Sequence, residues 1–259
     1  MRNVSWPIDL LADFSLDVWL AAKFLPRLGS GPLDGRTWER AVAGLLHRPG
    51  LTSRQGPGTL NLFGSQSSSG VRHEIDGAAD SWRGSLLVEC KATASGITKS
   101  DAAVFHWKIM DYYQKIIGLA CREQWWGLLC GTVATAPSAR ASAVSMGLIV
   151  CDSGRLPLPV LFRAARRPGA DMHLPEVLLQ EVVRLGERAL RCHQERWPYR
   201  ERSRDIAFDP HRWSDGDIQD LLWLEDELSG CLLDLYEKRR PGLLEQRATE
   251  LVWLAKKVA

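Results

Sequence analysis

Asp76, Glu89 and Lys91 are the residues whose types and spacing suit hydrolysis of a phosphate ester. An Asp closes RHEID, a Glu follows thirteen residues later, and a Lys stands two positions beyond it in LLVECKAT. Such hydrolysis needs a divalent cation to neutralise charge on the phosphate and a group that positions or activates water beside it. Residues two apart in a strand share a face, so Glu89 and Lys91 point one way and Cys90 the other. If VRHEID pairs with LLVECKA, Asp76 converges on the face of Glu89. Magnesium prefers hard oxygen donors, so Asp76, Glu89 and the main-chain carbonyl of Cys90 form a set suited to Mg2+, with Mn2+ as a substitute. Lys91 beside the attacking water is placed to orient or deprotonate it and to stabilise the growing charge. Glu74 shares the face of Asp76 by alternation and is a candidate for a second cation held through water, whereas His73 falls on the opposite face and is expected to be packed or hydrogen-bonded.

These side chains need a sheet to hold them, and the flanking sequence supplies one. VRHEID and SLLVECKAT read as two strands separated by a turn around Gly77 to Gly84. Upstream, TWERAVAGLLH predicts a helix from Thr37 to His47 with Trp38, Val42, Leu45 and Leu46 on one side, stopped by Pro49-Gly50. A loop rich in Gly, Ser and Gln follows from Ser53 to Gly70, interrupted by a short strand in TLNLF. Downstream, Ser100 or Asp101 is expected to cap a helix in which Phe105, Ile109, Tyr112 and Ile116 form one apolar stripe. Residues Gln124 to Cys151 carry Arg140 as their one charge, yet their Gly, Thr, Ser and Pro content favours strand, short helix and strand over a membrane span. Helix, strands, helix, strand, helix, strand is an α/β order with a central sheet. Beyond Arg163 long helical patterns take over. Near the start, Asp9, Asp13, Asp17 and Lys23 interrupt an apolar run at helical spacing, which predicts an amphipathic helix and not a secretory leader.

The chain has 259 residues, of which 45% are hydrophobic and 25% charged, as in ordinary globular proteins. A net charge of +2 does not by itself demand a polyanionic partner. Its distribution is less even: eleven Arg and six acids lie between Arg155 and Arg204, and eight acids against one Arg between Asp205 and Gly230. One face meeting phosphate and another meeting a protein would account for this. Six dispersed cysteines without a CxxC pair read as reduced thiols in a cytoplasmic protein. Zinc spacings, a GxSxG elbow and a P-loop ending are all missing from the sequence.

The set Asp76, Glu89-Cys90-Lys91 resembles the D…ExK signature of the PD-(D/E)XK nuclease superfamily. RHEIDG, LLVECKAT and the following charged helix look like its Mrr and restriction-endonuclease branch. The likeness covers roughly residues 36–161, with one departure: Gly77 follows the Asp where a β-branched residue is frequent. It implies a restriction-endonuclease-like core, a central mixed sheet flanked by helices, over 31–165, with an N-terminal helical segment (1–30) and a helical C-terminal region (166–259). Glu39 of GRTWERAV occupies the place of a Glu that commonly precedes the Asp strand, and is thereby a fourth catalytic candidate, although a Glu in a helix's first turn is also favoured by the helix dipole. Relatives place a polar residue on the helix after ExK, for which Gln114, Lys108 and Lys115 are the candidates. The resemblance further implies a Mg2+-dependent endodeoxyribonuclease that binds DNA and serves restriction or anti-phage defence. Its Trp-rich terminal helices would join a second copy or a sensor or ATPase subunit. RNA cleavage by the same fold and a non-catalytic scaffold are the alternatives.

Overall fold

The computed structural model describes residues 5–28, 34–46, 52–55, 58–59, 69–71, 73–81, 84–117 and 124–157, together with 159–161, 163 and scattered C-terminal positions, chiefly within 219–230. Helix α1 (Ser5–Leu28) is present, but it is buried nearly all round between Leu11 and Phe24 and is not the amphipathic helix that its spacing predicts: Leu11, Phe14, Val18 and Trp19 are buried, and so are Ser15 and Asp17, because the sheet and α2 pack around it. Helix α2 (Gly35–Leu45) begins two residues earlier than expected because Asp34 caps it, accepting from Thr37 N at 2.9 Å. The earlier start moves Glu39 beyond the first turn, so the dipole is not what favours it there. Trp38, Val42, Leu45 and Leu46 are all buried, the face anticipated from their spacing.

Strands β1 (Thr52–Gln55), β2 (Gly58–Thr59), β3 (Glu74–Ile75), β4 (Gly77–Ser81) and β5 (Gly84–Lys91) follow, then α3 (Lys99–Ile117), β6 (Gln124–Gly131), α4 (Pro137–Ser145) and β7 (Ile149–Cys151). A five-stranded mixed sheet has the order β1-β4-β5-β6-β7, and β2 pairs with β3 separately. The β1–β4 and β4–β5 pairs are antiparallel, whereas β5–β6 and β6–β7 are parallel. The chain is therefore α/β around a central sheet, and the strand-helix-strand predicted for Gln124 to Cys151 is present as β6, α4 and β7.

The hairpin differs from its expected form. The strand paired with β5 is GAADS, read from sequence as turn, with Gly77 opposite Val88 and Ser81 opposite Gly84; only Glu74–Ile75 of VRHEID is strand, and it pairs with β2. Small residues carry little strand propensity, so burial of Ala78 and Ala79 between the layers decides their conformation. Gly77 has its own reason: a Cβ there would lie 2.8 Å from Leu46 Cδ1, so α2 fills the space that a β-branched side chain would need. Polar β1, read as loop, is an edge strand. Most of TLNLF lies outside the described residues.

Alternation divides the core. Leu86, Val88 and Cys90 of β5, with Trp126, Leu128 and Cys130 of β6, pack with α1 and α2, whereas Leu87 and Leu129 face Phe105 and Ile109 of α3. The α3 N-terminus is closed by Thr98 rather than by Ser100 or Asp101. Asp101 N–H donates to Thr98 Oγ1 at 3.1 Å, and Thr98 N–H donates back to Asp101 Oδ2 at 2.9 Å, a reciprocal cap. Leu222 of the C-terminal region joins the same cluster as α1, α2 and the sheet. Among the described residues, no helix is long and apolar enough to cross a membrane.

Candidate active site

The C-terminal end of β5 gathers the charged groups. Hydrogen bonding to β6 continues through Lys91, but the pairing with β4 ends at Val88, and Asp76, in the bend between β3 and β4, takes the place of a partner strand. Its Oδ2 accepts from Cys90 N–H at 2.6 Å. In an extended strand a residue's N–H and C=O project to the same side, so the Cys90 carbonyl faces the Asp76 side. Lys91 O, pointing the other way, accepts from Thr132 N–H at 3.2 Å. Asp76, Glu89 and the Cys90 carbonyl thus belong to one corner of the sheet.

Burial chiefly, then repulsion from Glu89 and Glu39, pushes the Asp76 carboxyl up to about 6 against the opposing bond from Cys90 N–H and the attraction of Lys91. Glu39, brought from α2, is therefore near enough to act on the site electrostatically. Glu89 is buried, and Lys91 Nζ lies 3.0 Å from its Oε1, as expected for residues two apart on one strand face. Burial opposes the charge of Lys91, but the Glu89 carboxylate more than offsets it and holds the amine above its ordinary value. With Glu89 beside it Lys91 is held as an ammonium, the form suited to orienting water and stabilising charge.

Lys108 is the helix residue that reaches this corner. Its Nζ lies 3.1 and 3.0 Å from Glu89 Oε1 and Oε2, and 2.7 Å from the main-chain oxygen of Glu74. Sequence alone left Lys108, Gln114 and Lys115 undivided. The usable signal was distance along α3: at 1.5 Å per residue Lys115 lies about 10 Å further from the β5 end than Lys108. The side chains of Gln114 and Lys115 lie outside the described residues. Glu74 contributes its main-chain carbonyl, while its carboxylate is exposed.

His73 is buried and tied to Asp111 of α3, Nε2 to Oδ2 2.6 Å; Ser69 donates to the same carboxylate from its N–H at 2.9 Å and its hydroxyl at 2.6 Å. Trp107 packs edge-on against His73 with ring centroids 4.7 Å apart. This anchor fixes the segment that delivers Asp76, a packing role that matches the expectation for His73.

Among the described residues, no three His, Cys, Asp or Glu side chains are gathered in ion-holding geometry. The donors at the β5 corner are two carboxylates and a carbonyl, all hard oxygens. Asp76 and Glu89 stand there against Lys91 and Lys108; burial chiefly, and then repulsion from Glu89 and from Glu39 on α2, raises Asp76, and a divalent cation would relieve the repulsion. The residues present fit Mg2+ or Mn2+. No family model, curated protein or solved structure matches the chain.

Proposed function

We propose that this chain is a divalent-cation-dependent endonuclease with a restriction-endonuclease-like core, hydrolysing phosphodiester bonds in DNA. The observation that carries the reading is the convergence of Asp76, Glu89 and a charged Lys91 at the open corner of β5. The mixed sheet flanked by helices supports it further. Asp76, Glu89 and the Cys90 carbonyl would hold the Mg2+, which when bound supplies charge neutralisation on the phosphate. Lys91 donates hydrogen bonds toward the attacking water and the phosphate oxygens. As the water oxygen bonds phosphorus and the ester P–O bond breaks, the proton that the water gives up passes through solvent to the leaving oxygen, and the ammonium balances the negative charge that accumulates. Glu39 raises the negative potential that attracts the cation. Restriction or anti-phage defence is the setting the sequence resemblance implies, with a second copy or a sensor or ATPase subunit as partner.

Incubation with supercoiled plasmid, linear duplex, single-stranded DNA and RNA, in Mg2+ or Mn2+, tests the reading. We expect metal-dependent cutting of DNA that Lys91→Ala lowers by roughly 100-fold or more. Cutting of RNA alone would move the substrate to RNA. Absence of Mg2+-dependent thermal stabilisation in the wild type, or its persistence in Asp76→Ala, would favour the scaffold.

A further inference from the structure

Glu89 is already occupied. Lys108 Nζ lies 3.1 Å from one of its carboxylate oxygens and 3.0 Å from the other, and Lys91 reaches only Oε1, at 3.0 Å. Lys108 is also held from behind by the Glu74 carbonyl at 2.7 Å, and it is the less exposed lysine, 16% against 26% for Lys91. Lys91 shares its charge with Asp101, 4.0 Å away, whereas Lys108 is directed onto Glu89. Glu89 Oε1 already accepts from both lysines and Oε2 from Lys108, so a cation that takes both oxygens must displace Lys108, and one that takes Oε2 alone meets its ammonium on the same oxygen; charged hydrogen bonds of this kind are among the stronger ones to break.

We propose that Lys108 is an internal competitor for the cation site: it holds Glu89 in position while the site is without metal and must leave that carboxylate when the metal binds. The inference rests on the nuclease reading of the same corner. It makes Lys108 a positioning residue that sets the concentration at which Mg2+ or Mn2+ loads the site. A lysine serving only as a structural ion pair would stay on Glu89 whatever the metal concentration.

The test is Mn2+ binding to the full chain by calorimetry, for the wild type, Lys108→Met and Lys99→Met, the last removing an exposed charge from the same helix. Lys108→Met is expected to bind Mn2+ roughly tenfold more tightly, the release of a charged hydrogen bond, and Lys99→Met as the wild type does. Equal affinity in all three, or equal tightening in both variants, would overturn the inference and leave the nuclease reading standing. No Mn2+ binding by any of them would overturn both. Should Lys108→Met fail to fold, the wild type suffices. Acetic anhydride labelling, read by peptide mass spectrometry with Lys99 as reference, should rise severalfold at Lys108 in saturating Mn2+. Unchanged labelling would sink the proposal.

Discussion

At Asp76 the fold holds a carboxylate where burial, and then Glu89 and Glu39, disfavour its charge. The folded-state value of about 6 lies above the ordinary 3.8, so between these values the folded chain binds the proton that the unfolded chain has lost, and stability falls as pH rises. The contribution is fully present below about 3.8 and gone above about 6. Asp76→Asn keeps an acceptor for Cys90 N–H and removes the charge. In metal-free buffer it should match the wild type near pH 4 and exceed it above pH 6.5 by about 1–2 kcal/mol, discounted for partial exposure; urea unfolding across pH reads the difference, and a constant offset would refute the assignment. Cys90 shows the same physics in a thiol: burial pushes it well above its ordinary value, and Cys130 likewise. Native protein treated with a maleimide should leave Cys90, Cys130 and Cys151 unlabelled until denaturant is added.

Between elements, close approach depends on what is left out. A Cβ on Gly127 of β6 would lie 2.6 Å from Ile109 Cδ1 and 2.7 Å from Leu148 Cδ2, so its lack of a side chain seats α3 directly on the sheet and brings Lys108 down to Glu89. Gly127→Ala should cost about 1–3 kcal/mol by overpacking, measured as a lower urea midpoint with an unchanged slope. Ile109 and Leu148 must both give way to make room. On the other face, Trp38 Nε1–H donates to Cys130 O at 2.8 Å, tying α2 to β6 and so fixing where Glu39 approaches the corner.

Across the whole molecule, distant segments meet around a buried arginine. Arg140 Nε lies 2.5 Å from Glu225 and its Nη1 3.3 Å from Asp152, whose carboxylate also accepts from Thr135 and Gly154 N–H. Burial opposes the arginine's charge, and Glu225 first, then Asp152, more than offset that and raise its pKa. Arg155 pairs with Asp226, Arg163 with Asp13, and Leu156 N–H donates to Ser229 Oγ at 2.8 Å. Part of the acidic stretch that suggested a protein partner is thus answered within the chain, as are two of the arginines that suggested phosphate. Glu225→Gln strips the buried arginine of its nearest counter-charge and should destabilise by about 3 kcal/mol, whereas Arg140→Met, Glu225→Leu and Asp152→Asn together should recover most of it, since no buried charge is then left unpaired. If the single substitution leaves the urea midpoint unmoved, the cluster does not hold the C-terminal region to the sheet.

How far the sequence reached follows from the range of each interaction. The α/β order, the buried face of α2, the stripe of α3 through Phe105 and Ile109, and the shared face of Glu89 and Lys91 are consequences of helical and strand periodicity, which nearby residues set by themselves. Tyr112 and Ile116, read as part of the same stripe, have side chains outside the described residues. GAADS as a strand, β1 as an edge, Lys108 as the helix residue at Glu89, and Arg140 as a buried charge depend on what arrives from elsewhere in the chain: Leu46 over Gly77, the β5 end beneath α3, and Glu225 from 85 residues away. Local sequence determined which residues could share a face, because the backbone repeat is intrinsic. Only tertiary structure decided which charges meet, because burial and Coulomb attraction depend on distance in space.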